Sequence, residues 1–92
     1  MADPLLRTLR VSNLHRPGVL GRLATALGNA GANIGDIRTV RSGPDHIVRD
    51  IDILVEGPDV LQHAIDDLGR LESVELLEVI DEVHDLHIDG KL

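Results

Sequence analysis

Apolar and polar residues change period several times along the chain, and each change marks an element. From Leu5 to Ser12, Leu9 and Val11 alternate with Thr8 and Arg10, which predicts a strand. Asn13 to Gly18 reads as a loop, with Pro17 suited to the first helical position. Leu20, Leu23, Ala24 and Leu27 then follow the i, i+3, i+4, i+7 spacing of an amphipathic helix. Gly28-Asn29-Ala30-Gly31 is expected to stop it, because glycine tolerates the left-handed backbone of a helix end.

Asn33 to Arg41 predicts a second strand, although Ile34, Ile37 and Val40 are three apart and alternation fails. A bulge near Gly35 would restore it. Ser42-Gly43-Pro44-Asp45 is a turn. His46 to Val55 is the clearest strand, with Ile47, Ile51, Ile53 and Val55 on one face and Asp50 and Asp52 on the other. Gly57-Pro58 opens a second helix striped by Leu61, Ala64, Ile65 and Leu68, and Gly69 lies near its end. Val74 to Ile80 is a last strand with apolar residues on both faces, Val74, Leu76 and Ile80 against Leu77 and Val79. Such a strand is expected to be covered on both sides, here by the tail, a partner or a catalytic domain.

The order β-α-β-β-α-β with right-handed crossovers predicts an α+β, ferredoxin-like fold. A four-stranded antiparallel sheet in the order 4-1-3-2 would carry both helices on one face. On the other face Arg10, Asp50 or Asp52, and Arg38 or Arg41 are expected to meet. One domain over residues 5–81 is predicted, followed by a polar tail, 82–92.

Composition narrows the function classes. The 92 residues include no Phe, Trp, Tyr or Cys, so the core is aliphatic and disulfides, zinc knuckles and thiol nucleophiles are excluded. Without aromatic rings the chain lacks the stacking platforms of single-stranded nucleic-acid readers and RNA-binding modules. The net charge of −7 repels phosphate backbones, so no nucleic-acid partner is expected. No apolar run approaches the ~20 residues of a membrane span, and no leader is apparent in Met1 to Pro4. A soluble cytoplasmic module without membrane contact is the expectation. Small size without covalent staples favours oligomerisation. Charge is lopsided, with seven Arg against three Asp in residues 1–49 and thirteen acids against Arg70 and Lys91 in residues 50–92. Pairing of the two halves within the fold is the simplest reading.

The segment that carries chemistry is Asn13-Leu14-His15-Arg16-Pro17-Gly18-Val19-Leu20, between the first strand and first helix. Gly18 lets a ligand approach the backbone, and the N–H groups of Gly18, Val19 and Leu20 are expected to point out of the helix N-terminus at an anion. Asn13 offers an amide and Arg16 a nearby charge.

The turn N-x-x-R-P-G-V-L, followed by Gly31-Ala32-Asn33-Ile34 before the second strand, resembles the ACT domain over residues 5 to 81. The resemblance implies a regulatory module, not an enzyme, whose effector is an amino acid or related small carboxylate. It implies paired copies with the ligand between the first loop of one and the second strand of the other. By position this implicates Asn13, His15, Arg16, Pro17, Gly18, Val19 and Leu20, with Asn33 and Ile34. Asn13 stands where the family often has Asp or Asn to meet the ligand's amino group, and being neutral it gives up the ion pair available to an Asp. Ile47-Val48-Arg49-Asp50-Ile51 and Leu86-His87-x-x-Gly90-Lys91 resemble the ACT segment preceding some bacterial malic enzymes, with Asp89 departing from that pattern. A malic enzyme catalytic domain is thus an expected partner, and no cofactor is implied for this chain.

Two other readings compete. The chain could serve as a ligand-free structural dimerisation module, with Pro-Gly only starting a helix. It could also answer to divalent metal through tail residues His84 and His87 beside Asp85 and Asp89, though a solvated tail is simpler. Asp50 and Asp52 share a strand face but have no base or nucleophile beside them, so pairing with arginine outweighs catalysis.

Overall fold

The structure, a computed structural model, describes residues 4–81. Its elements are β1 (Leu5–Leu14), α1 (Val19–Asn29), β2 (Asn33–Ser42), β3 (His46–Val55), α2 (Pro58–Gly69) and β4 (Val74–Asp81). All strand pairs are antiparallel, in the order β2-β3-β1-β4. Both helices lie on one face, as the pattern predicts. They bury Leu23, Leu27, Ala64 and Leu68 against Leu9, Val11, Ile51, Ile53 and Val55. Every core side chain is aliphatic.

Several boundaries differ by a residue or two from the sequence reading, with β2 running on to Ser42 and β4 to Asp81. β1 runs through Asn13 to Leu14, because both residues stay in register with β3. α1 begins after Pro17, since Gly18 is left-handed (φ 86°) and cannot be a helical residue. Its end falls within the expected Gly28-Asn29-Ala30-Gly31: the helix runs through Gly28 to Asn29, and Gly31 (φ 100°) makes the left-handed exit.

Bulges reset the faces of the edge strands. In β2, Ile34 lies opposite Ile53 and Ile37 opposite Ile51, so one extra residue near Gly35 returns both isoleucines to the helix side. A second shift between Thr39 and Arg41 leaves Val40 out of the ladder. In β4, Leu76 pairs with Val11 and Glu78 with Arg10, leaving Leu77 unpaired. That residue changes the phase. Val79 faces Leu9 on the helix side and Ile80 faces Thr8 on the open side, the reverse of simple alternation.

The open sheet face carries the expected charge pairing. Arg10 is bidentate to Asp50 (Nε to Oδ1 2.8 Å, Nη2 to Oδ2 2.9 Å). Arg38 is opposite Asp50 in register but reaches diagonally to Asp52 with two bonds of 2.7 and 2.8 Å. Thr8 donates to the same carboxylate at 2.7 Å. Asp50 raises the Arg10 pKa above its ordinary value, first by hydrogen bonding and then by charge, with a smaller contribution from Glu78. Both states of that arginine are thus protonated throughout the working pH range, so the pair adds no pH dependence from the arginine side. Leu54, Leu77 and Val40 remain exposed on the sheet.

Candidate functional site

The loop after β1 is fastened before it reaches the helix. Leu14 N–H donates to Ser73 O at 2.9 Å and His15 N–H to Asp45 O at 2.9 Å. His15 Nδ1 lies 2.9 Å from Gly43 O. A carbonyl only accepts, so Nδ1 carries the proton. His15 therefore ties the loop to the β2–β3 turn. Arg16 and Pro17 are exposed, and Val19 is buried beneath the first turn.

Gly18 caps α1 without a side-chain hydrogen bond, and no acid occupies the first turn. Arg22 N–H donates to Gly18 O at 3.0 Å, and Val19 N–H reaches Arg16 O at a long 3.3 Å. Among the described residues the N–H groups of Gly18, Leu20 and Gly21 have no acceptor. Gly21 thus joins the anion-seeking set, and Val19 partly leaves it. The Arg22 guanidinium adds positive charge: its Nη1 would lie 3.5 Å from a Cβ placed on Gly18. A groove of about 540 Å³ runs from Gly18 along the outer side of α1 past Arg22, Thr25 and Asn29 to Leu71.

Asn13 sits at the base of this turn, on the helix-covered face, opposite Ile47 and Val74. It is 2% exposed. Its Nδ2 donates to Leu14 O at 2.9 Å, and its Oδ1 has no partner. A buried acceptor without a donor costs roughly 1–3 kcal/mol, and such atoms are few in native proteins.

Asn33 and Ile34 lie elsewhere. They pair with Leu54 and Ile53, whereas Asn13 pairs with Ile47. Seven residues along β3 separate the two ends, about 23 Å at strand rise. One chain therefore brings Asn13 to Leu20 together and leaves Asn33 and Ile34 at the far end of the sheet.

Arg49 was passed over in the sequence, yet it has a signal there. It occupies the apolar parity of β3, between Ile47 and Ile51, opposite Val11. It is half-buried, and its Nε has no partner among the described residues. No group of three or more His, Cys, Asp or Glu placed for a metal occurs among the described residues, and His84 and His87 lie outside them. No helix among the described residues is long and apolar enough to cross a membrane.

Comparison with known proteins agrees with this architecture. The family model of the ACT domain matches residues 7–73. The chain is 40% identical over 93 residues to NAD-dependent malic enzyme 1 of Bacillus subtilis (strain 168). The match takes in 100% of this chain but 21% of that protein, so the chain spans about a fifth of its curated relative. The crystal structure of the ACT domain from GTP pyrophosphokinase of Chlorobium tepidum superposes with a TM-score of 0.65 at 19% identity, covering 82% of this chain and 100% of that one. A homoserine dehydrogenase from Thiobacillus denitrificans gives 0.65 at 19% identity, covering 86% of this chain and 17% of the other. At such identity these two likenesses speak to fold.

Proposed function

Because the chain belongs to the ACT domain family, whose domains regulate rather than catalyse, we propose that it is the effector-binding module of a metabolic enzyme. It takes an amino acid or related small carboxylate at the N-terminus of α1, between two copies of the chain. The observation that carries this reading is the orphaned Asn13 Oδ1, buried at the end of β1 just before the turn whose three backbone N–H groups are free. A ligand with a carboxylate for the helix end and an N–H or O–H for Asn13 satisfies both.

Pairing through β2 supports the second half of the proposal. β2 is an exposed edge bearing Asp36, Arg38 and Arg41, whereas the β4 edge bears Glu75, Glu78 and Asp81. Two β4 edges repel, while two antiparallel β2 edges can set opposite charges against each other. A two-fold axis through β2 also carries one copy's Asn33 and Ile34 to the end where its partner holds Asn13 to Leu20. The 40% identity along the whole chain favours a malic-enzyme catalytic domain as the cytoplasmic target, with residues 5–81 as the regulatory domain and 82–92 as the connection. Control requires that the effector bind two arrangements of the assembly with different affinity.

The test is a thermal-shift screen of amino acids, small carboxylates and divalent metals. A ligand at a hundred times its Kd adds about 2.7 kcal/mol, which raises Tm by roughly ten degrees or more in a domain this small. A selective carboxylate response that disappears in a folded Asn13→Leu variant supports the site. A flat response from a stable dimer points to a structural module, and a response to metal alone to the tail histidines.

A further inference from the structure

Among the described residues, two buried side-chain atoms lack a hydrogen-bond partner, Asn13 Oδ1 and Arg49 Nε. They belong to neighbours. Asn13 pairs with Ile47, and Arg49 stands two residues further along β3, opposite Val11. Both occupy the helix-covered face on one cross-strand diagonal, where Cα atoms lie about 7–8 Å apart and long side chains meet. One orphan is an acceptor and the other a donor.

Arg7, Arg10, Arg38 and Arg70 each reach a carboxylate. Arg49 has none among the described residues, although its stem is half-buried between isoleucines. Arg16, Arg22 and Arg41 also lack a carboxylate among the described residues but are exposed, so Arg49 is set apart by burial together with the missing partner. Its Nε is shut off from water with no acceptor in return, a loss that an anion offsets. The turn after Asn13 suits one carboxylate at the N-terminus of α1, and Arg49, on the diagonal from Asn13, is available for another.

We propose that Arg49 receives a second anionic group of the effector, and that the site therefore selects short dicarboxylates carrying a hydroxyl or ammonium beside one carboxylate. This rests on the effector site proposed above and adds the ligand's class. The first carboxylate takes the N–H groups of Leu20 and Gly21. The hydroxyl or ammonium donates to Asn13 Oδ1, and a neutral amide accepts from either. The second carboxylate takes the Arg49 fork through Nε and one Nη. A monocarboxylate of the same backbone leaves Arg49 unpaired.

Titration calorimetry on the 92-residue chain tests this with four probes: L-malate and L-aspartate, and their monocarboxylate counterparts L-lactate and L-alanine. At least one dicarboxylate is expected to bind about tenfold to a hundredfold more tightly than its counterpart. Arg49→Gln removes that preference and leaves monocarboxylate affinity within about twofold, whereas Arg49→Lys, which keeps the charge without the fork, retains part of it. Melting curves show whether each variant is folded. Equal affinity for both classes in the unaltered chain overturns the proposal while leaving the effector site standing. So does a preference that survives Arg49→Gln. If that variant instead weakens self-association in sedimentation with the preference intact, the arginine serves the subunit contact and the proposal fails. If none of the four probes binds but another effector does, the dicarboxylate class alone is wrong. If no small molecule binds at all, the underlying site falls with it.

Discussion

At Gly18 the backbone turns with φ 86° and ψ −14°, and this one residue sets where the free N–H groups of α1 point. A Cβ there would meet Arg22 Nη1 at 3.5 Å, an ordinary contact, so conformation rather than space restricts the position. Gly18→Ala is expected to lower stability by about 1–2 kcal/mol, read from the midpoint of urea unfolding. A larger loss would mean that the loop, too, depends on this geometry. That Asn13-to-Leu20 spans the junction of β1 and α1 was legible, because Pro-Gly between a strand and a helix is a local signal. The orphaned state of Asn13 was not, since it depends on Ile47 and Val74 arriving from distant parts of the chain to bury it. Arg49 was legible in principle. A charge at an apolar parity position is an inconsistency that periodicity exposes once strand and face are both assigned.

The helices and strands followed their periods, and their ends followed glycine and register. α1 ends within the expected segment Gly28-Asn29-Ala30-Gly31, but Gly28 itself stays helical, with nothing within 4 Å of a Cβ placed there. Gly28→Ala should therefore stabilise the chain by about 0.5–1 kcal/mol and raise Tm by several degrees in a melting curve. The bulge in β2 was readable because Ile34, Ile37 and Val40 break alternation. The one in β4 was not, because Val74 to Ile80 is apolar at so many positions that either phase fits. Only pairing with Arg10 and Val11 fixes it. On the open face, the Arg38–Asp52 pair joins β2 to β3 but stays solvated, with 46% of the Arg38 side chain exposed. A double-mutant cycle is expected to give a coupling of about 0.2–1 kcal/mol, shrinking as salt is added.

The described residues form a slab of 38 × 33 × 17 Å, one sheet under one layer of helices. The topology was readable from element order alone. Its completion was not: the residues by which a sheet edge finds its mate have no signature distinct from other exposed strand residues. If β2 is the mating edge, Val40→Lys should shift sedimentation toward the monomer while the melting curve stays cooperative. Val40 is 48% exposed and outside the ladder, so the change strains nothing inside one copy.

The two edges also decide how far growth can go. A sheet with two receptive rims adds copies without end and becomes a fibre. Here the opposite rim carries a kinked strand and three acids, Glu75, Glu78 and Asp81. Joining through β2 leaves only those rims outward, and like charge with broken pleating turns further copies away. In the proposed β2-paired dimer, one unpaired residue in β4 would thus act as a chain terminator, favouring a closed pair over a polymer, and its deletion would be the change most apt to remove that limit.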